Sequence, residues 1–127
     1  MRRLDIGRIG CGIDVVELPR FQAAMRRGGR RFMTRIFTPA EEAYAAARKR
    51  TRLLHLAGRF AAKEAVIKAV AQIAPARSLA MRQVEVRNDR IGRPRVVIHG
   101  RRIRGLTVHI SLSHVDTVAV ATAIAIR

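Results

Sequence analysis

The chain has 127 residues, 26 of them Lys or Arg against 9 Asp or Glu, with a formal net charge of +17 and 49% hydrophobic residues. The length suits one domain over residues 1–127, and the apolar fraction excludes a disordered polycation. The charge asks for an acidic partner, whether nucleic acid, an anionic membrane surface, a phosphate-rich small molecule or an acidic protein.

Cys11 is the single cysteine, which excludes an internal disulfide and a cysteine-rich metal site and suits a reducing, cytoplasmic setting. Arg2, Arg3 and Asp5 precede no apolar signal region, and no run of about eighteen apolar residues occurs, so neither secretion nor membrane spanning is expected.

Ile9, Cys11, Ile13 and Val15 alternate with Gly10, Gly12, Asp14 and Val16, the period of a half-buried strand. Asp14 falls on the face opposite the apolar residues, and the glycines leave that face bare, so that a backbone or a ligand can approach. From Leu18 to Ile36 the pattern is helical but interrupted at Gly28-Gly29, which predicts two short helices and a hinge. Thr38-Pro39-Ala40-Glu41 has the makings of a capping box, predicting a helix from Pro39 to about Arg50.

A long helix is expected from about Arg52 to just before Pro75, since the residue preceding a proline disfavours the helical region. At about 100° per residue, Leu53, Leu56, Ala57, Phe60, Ile67 and Ala71 form one apolar stripe. Glu64 falls inside that stripe and Lys68 borders it. Glu four residues before Lys is also the favourable order for a surface ion pair, contributing about 0.2–0.5 kcal/mol. A carboxylate on an apolar stripe faces a desolvation penalty of several kcal/mol, which a cation or metal would have to offset. Val84 and Val86, a turn at Asn88-Asp89-Arg90-Ile91-Gly92, and Arg95 to Ile98 read as a hairpin. Val108, Ile110 and Leu112, then Val118 to Ile126, predict a last pair of strands. Alanine at every second position of the final strand predicts close packing against a helix or a partner subunit. The fold class expected is α+β: an antiparallel sheet of the N-terminal strand, the hairpin and the C-terminal strands, covered by the helices between Pro39 and Ala74.

Asp14, the Glu64 and Lys68 pair, and Ser111-Leu112-Ser113-His114 stand apart in sequence but share a chemical theme. Two carboxylates suit a hard cation such as Mg²⁺ completed by waters and phosphate oxygens, and a lysine suits a phosphate. His55, His99, His109 and His114 lack the spacing of a zinc site.

The chain resembles the holo-[acyl-carrier-protein] synthase family, the small phosphopantetheinyl transferases. The likeness rests on Gly12-Ile13-Asp14 with Glu17-Leu18 and Arg20, Phe37-Thr38 with Glu41, Ala57-Gly58-Arg59-Phe60-Ala61-Ala62-Lys63-Glu64-Ala65 with Lys68, Gly92-Arg93-Pro94, and His109-Ile110-Ser111-Leu112-Ser113-His114. It implies transfer of the phosphopantetheine arm from coenzyme A to a serine of an acyl carrier protein, releasing 3′,5′-ADP. It further implies that Asp14 and Glu64 hold Mg²⁺ against the pyrophosphate and that Lys68 neutralises phosphate charge. Asp14, directly or through a water, is the candidate base. Arg59, Lys68, Ser113 and His114 are the implied contacts to the coenzyme. Arg20, Arg31, Phe32 and Arg35 match the positions that dock the acidic carrier, after allowing one extra residue between Met25 and Gly29. A homotrimer with active sites between protomers is likewise implied by the resemblance.

One departure stands out: where the family carries a glycine-rich turn after its second lysine, this chain continues Ala69-Val70-Ala71-Gln72-Ile73-Ala74-Pro75, so no binding residue is expected between Ala69 and Leu79. Two rival readings are a basic nucleic-acid-binding module and a carrier-docking homologue that has lost catalysis. Four Phe, one Tyr and no Trp weaken the first, because single-strand platforms need exposed aromatics. Intact Asp14, Glu64 and Lys68 weaken the second.

Overall fold

The computed structural model describes residues 7–127, so Arg2, Arg3 and Asp5 lie outside the described residues. In chain order these form β1 (Ile9–Glu17), α1 (Leu18–Ile36), α2 (Pro39–Ala46), α3 (Arg52–Ile73), β2 (Val84–Asn88), β3 (Pro94–Ile98), β4 (Thr107–Val115) and β5 (Val118–Ile126). Short 3-10 turns at Lys49–Thr51 and Met81–Gln83 precede α3 and β2. The class is α+β, as expected, but the strands divide into two sheets. β1, β5 and β4 form one antiparallel sheet in that order, and β2 and β3 pair separately. The hairpin therefore does not join the terminal strands in one sheet.

β5 lies at the centre of the larger sheet because its alanines admit α3 at close range. Ala119, Ala121, Ala123 and Ala125 are all buried, and α3 packs across β1 and β5. On β1 the paired positions are Val16, Asp14, Gly12 and Gly10, which share that helix-facing side. A Cβ at Gly10 would lie 2.0 Å from the Ala69 carbonyl oxygen, and one at Gly12 would lie 1.9 Å from that of Ala65. No other residue fits there, because overlap with fixed backbone cannot be relieved by a rotamer change.

The close backbone approach expected on the bare glycine face of β1 is made by α3, while the apolar face of the strand is the open one. The glycine and aspartate face packs on α3, whereas Ile9, Ile13 and Val15 are exposed at 55%, 57% and 58%. The period of two was correct, but small size, rather than apolarity, selects the face that meets α3.

The capping box forms as anticipated: the Glu41 amide donates to Thr38 Oγ1 at 3.3 Å and the Thr38 amide donates to Glu41 Oε1 at 2.9 Å. α2 nevertheless ends at Ala46, short of Arg50, with the chain turning through the Lys49–Thr51 3-10 segment into α3. The Gly28-Gly29 break also appears where expected. Gly29 has φ 55° and ψ −143° inside α1, so the helix runs through a kink rather than around a loop. Glycine adopts that conformation without the steric cost a Cβ imposes.

α3 is buried around most of its circumference, so it has no single apolar stripe. Leu56, Ala57, Val66 and Val70 are buried, but Ala71 is exposed and Leu53, Phe60 and Ile67 are only partly covered. Glu64 is half-buried. The charge that α3 does bury completely is its neighbour Lys63.

Candidate functional site

β1 and α3 deliver Asp14 and Glu64 to the same cleft, a groove of about 380 Å³ whose walls include Arg20, Phe21, Arg27 and Phe32 from α1. The close approach of the β1 glycines to α3 is what brings the two carboxylates to one opening. Glu64 also borders an adjoining hollow lined by Arg35, Ile67 and Met81, with Phe32 and Phe60 common to both. It sits on the ridge between them. Among the described residues the Glu64 side chain forms no hydrogen bond or ion pair, so its carboxylate oxygens are available to a ligand.

Asp14 is differently engaged. Lys68 Nζ donates to the Ile13 carbonyl at 2.9 Å and lies 3.4 Å from Asp14 Oδ1. Lys68 is exposed and pairs with the strand aspartate, not with Glu64 one turn before it. The surface Glu–Lys pair permitted by the spacing is therefore not formed. No group of three or more His, Cys, Asp or Glu suited to a metal occurs among the described residues. Two carboxylates facing one cleft nevertheless match the sparse protein ligation that Mg²⁺ accepts, with waters and phosphate oxygens filling its octahedron.

The arginine and phenylalanine positions of α1 distribute around the same cleft. Arg20 and Phe32 line it, Arg35 lines the adjoining hollow, and Arg31 lines neither, remaining exposed on the segment beyond the kink. Arg20 lies 3.6 Å from Glu17, an exposed pair of small energetic weight. The aromatic core beneath is continuous: the Phe21 ring lies 5.3 Å from Phe60, 6.0 Å from Phe32 and 6.4 Å edge-on to Phe37. Such tilted and edge-on pairs anchor α1 on α3.

Arg59, Ser113 and His114 meet at a separate groove of about 300 Å³ with Tyr44, His55 and Asn88. Arg59 is buried beneath it. Its guanidinium stacks 4.1 Å from the Tyr44 ring centre and donates to Asn88 Oδ1 at 3.0 Å, while its buried Nε has no partner. Burial lowers the Arg59 pKa, partly opposed by Tyr44 and Glu41. Arg48 also lies over the Tyr44 ring, 3.5 Å from its centroid. His55, edge-on to Tyr44, is shifted down by burial and then by Arg59, Arg48 and His114, which favours the neutral imidazole. Ser113 and His114 diverge: His114 pairs with Ala119 on the helix-facing side of the sheet, Ser113 with Val120 on the opposite side.

The sequence reading missed a buried ionic centre. Lys63 and Glu41, exposed at 0% and 1%, form an ion pair beneath α2. The signal was present, since Lys63 stands at helical spacing from Leu56, Val66 and Val70, all buried. Lys63 lies off the stripe that runs through Leu53, Phe60 and Ile67.

Comparison with known proteins bears on this geometry. Residues 10–123 match the family model of the 4'-phosphopantetheinyl transferase superfamily. The holo-[acyl-carrier-protein] synthase of Mycobacterium leprae is 40% identical over 127 residues, covering 94% of this chain and 97% of the relative. That of Koribacter versatilis is 38% identical, covering 91% and 96%. Among solved structures, the ACPS-CoA complex of Chronobacterium ammoniagenes superposes with a TM-score of 0.81 at 31% identity, covering 94% of this chain and 97% of that one. The Bacillus anthracis holo-(acyl-carrier-protein) synthase in complex with CoA (3',5'-ADP) gives 0.74 at 38% identity, covering 92% and 95%. With two carboxylates at a cleft edged by cationic and aromatic side chains, and with these likenesses over nearly its whole length, the chain belongs to the holo-[acyl-carrier-protein] synthases of the 4'-phosphopantetheinyl transferase superfamily and is an enzyme of that type.

Proposed function

We propose that the enzyme transfers the 4'-phosphopantetheine arm from coenzyme A to a serine hydroxyl of an acidic apo-acyl carrier protein, giving the holo carrier and 3',5'-ADP. The observation that carries this reading is the shared cleft of Asp14 and Glu64, walled by Arg20 and Phe32 of α1. Asp14 and Glu64 would hold Mg²⁺, which when bound neutralises charge on the pyrophosphate. The carrier serine oxygen forms the new bond to the phosphorus that bears the pantetheine arm, and the bond from that phosphorus to the 3',5'-ADP oxygen breaks. Asp14 takes the serine proton, directly or through a water. Lys68, 3.4 Å from Asp14, would supply positive charge to the phosphates at the same cleft edge. In the proposed complex Arg20, Arg31 and Arg35 attract the acidic carrier and Phe32 supplies an apolar anchor. Arg59, Ser113 and His114 contact the coenzyme.

A homotrimer is part of the proposal. The sheet surface turned away from α3 exposes Ile9, Ile13, Val15, Val115 and Ile124, an apolar area of the kind that subunit contact covers.

Incubation with apo-carrier, coenzyme A and Mg²⁺, followed by intact mass measurement, tests the reading: the carrier should gain one phosphopantetheine. Glu64→Gln should keep the melting curve and lose Mg²⁺-dependent turnover by at least about a hundredfold. No gain of mass across several acidic carriers would reject the transferase reading, and near-normal turnover of Glu64→Gln would reject the metal assignment.

A further inference from the structure

Lys63 directly precedes Glu64 on α3 yet faces away from the cleft, and its surroundings are unusual for a lysine. Its ammonium is wholly buried, and its three protons are shared among the carbonyls of Ile36 at 2.8 Å, Val84 at 2.7 Å and Met81 at 3.2 Å and the Glu41 carboxylate. Those acceptors belong to four other pieces of the molecule. Ile36 is the last residue of α1, Glu41 lies in α2, Met81 opens the 3-10 turn, and Val84 begins β2. Glu41 extends the centre, accepting from the Thr38 amide on one oxygen and the Val86 amide at 2.9 Å on the other.

A buried ion pair is a poor source of net stability, since desolvating two charges offsets most of their attraction and well-packed apolar residues often do as well. What it supplies is geometry: a cation with several fixed acceptors admits one arrangement of the groups around it. Here that arrangement concerns the end of α1. Beyond the Gly29 kink, the segment Arg30–Ile36 carries Arg31, Phe32 and Arg35, and Ile36 ends it on the Lys63 ammonium. Two further contacts hold the same segment: Arg30 bonds Glu42 through two nitrogens at 2.6 and 2.7 Å, and Arg82 donates to the Thr34 carbonyl at 3.1 Å. The exposed pair and the arginine tie its outer side, whereas Lys63 ties its end to the residue adjacent to Glu64.

We infer that Lys63 is a positioning residue: it fixes the carrier-facing segment Arg30–Ile36 of α1 relative to Glu64, so that the docked carrier presents its serine at the carboxylate cleft. This rests on the transferase reading above. It predicts that loss of Lys63 spares coenzyme binding while disturbing everything that depends on the carrier.

The test uses the full chain with Lys63→Met and with the double change Lys63→Met/Glu41→Leu, in which an apolar pair of comparable bulk replaces the ions. Both variants are expected to fold, by circular dichroism and melting. KM for the carrier should rise about tenfold, with kcat reduced, while KM for coenzyme A stays within about twofold. Amide hydrogen exchange should accelerate at Met33–Phe37 and remain unchanged across Ala61–Ala65. Equal changes in both KM values, no change in either, or failure of both variants to fold would overturn the positioning role, since it requires a folded protein with a carrier-selective defect. If the unaltered protein fails to modify any carrier, the transferase reading fails first and takes this inference with it; an active parent with unselective variants rejects the inference alone.

Discussion

At the scale of single residues, the polar side chains divide between those held by the protein and those left for a ligand. Glu41, Lys63, Glu85 and Asp89 are fully engaged, whereas Glu64 is not. Burial pushes Glu85 up, but hydrogen bonds from Thr38 and Arg87 and the charge of Arg87 outweigh it, so its carboxyl lies below the ordinary range. Asp89 organises the hairpin tip, accepting from the Ile91 and Arg93 amides and from the Arg93 side chain, and these bonds depress its pKa from 3.8 to about 2. Because the folded value is the lower one, its stabilising contribution is complete above 3.8 and is lost as pH falls through about 2. Melting of the parent and of Asp89→Ala should therefore differ most near neutrality and converge at about pH 2; a difference that stays constant down to that pH would refute the assignment. His55 acts in the same direction at higher pH. Its folded pKa is below 6.5, so its contribution is present above that value and fades as the imidazole protonates.

At the scale of elements, α1 is the informative case. Gly29 adopts a backbone conformation that only glycine tolerates well, and a Cβ there would meet nothing within 4 Å. Gly29→Ala therefore measures backbone strain without a clash. It should lower stability by about 1–3 kcal/mol, read as a lower melting temperature. An unchanged melting curve would mean that the kink relaxes freely. The glycine pair announced this break in the sequence, and Thr38 to Glu41 announced the start of α2, because both are local signals written within four residues. The facing of β1 and the lie of α3 were not legible in the same way. Both depend on which neighbour comes near: Gly12 announced that a backbone or ligand could approach but not that it would be the Ala65 carbonyl, and Lys63 acquires its meaning only when the Ile36 carbonyl is in place. Asp14 and Glu64 were identifiable as a pair by chemical type, but the engagement of Lys68 with Asp14 rather than Glu64 emerged only from the packing of α3 on β1.

At the scale of the whole molecule, the two surfaces of the larger sheet have opposite fates. One is filled by α3, and the other presents branched apolar side chains to its surroundings, including Ile13 at 57% exposure. A charge placed at that position should interfere with assembly while leaving the protomer core intact. Ile13→Glu is expected to shift the mass in sedimentation from trimer toward monomer and to reduce turnover with it. A monomeric parent would reject the trimer, and a trimeric variant would move the subunit contact elsewhere. The net charge of +17 belongs to this scale as well, since such a field accelerates encounter with an acidic partner and weakens as salt is added.

The glycines of β1 have a consequence for how this protein tolerates change. Gly10 and Gly12 set the separation between strand and helix by backbone against backbone, with no side chain acting as a spacer. Most cores transmit a substitution outward because their layers rest on side chains whose volumes vary. Here the gap spanned by Asp14 and Glu64 rests on atoms that every residue shares. Hydrophobic replacements away from this seam can accumulate over generations while the two carboxylates keep their separation, provided those two positions never acquire a Cβ and the β5 alanines stay small.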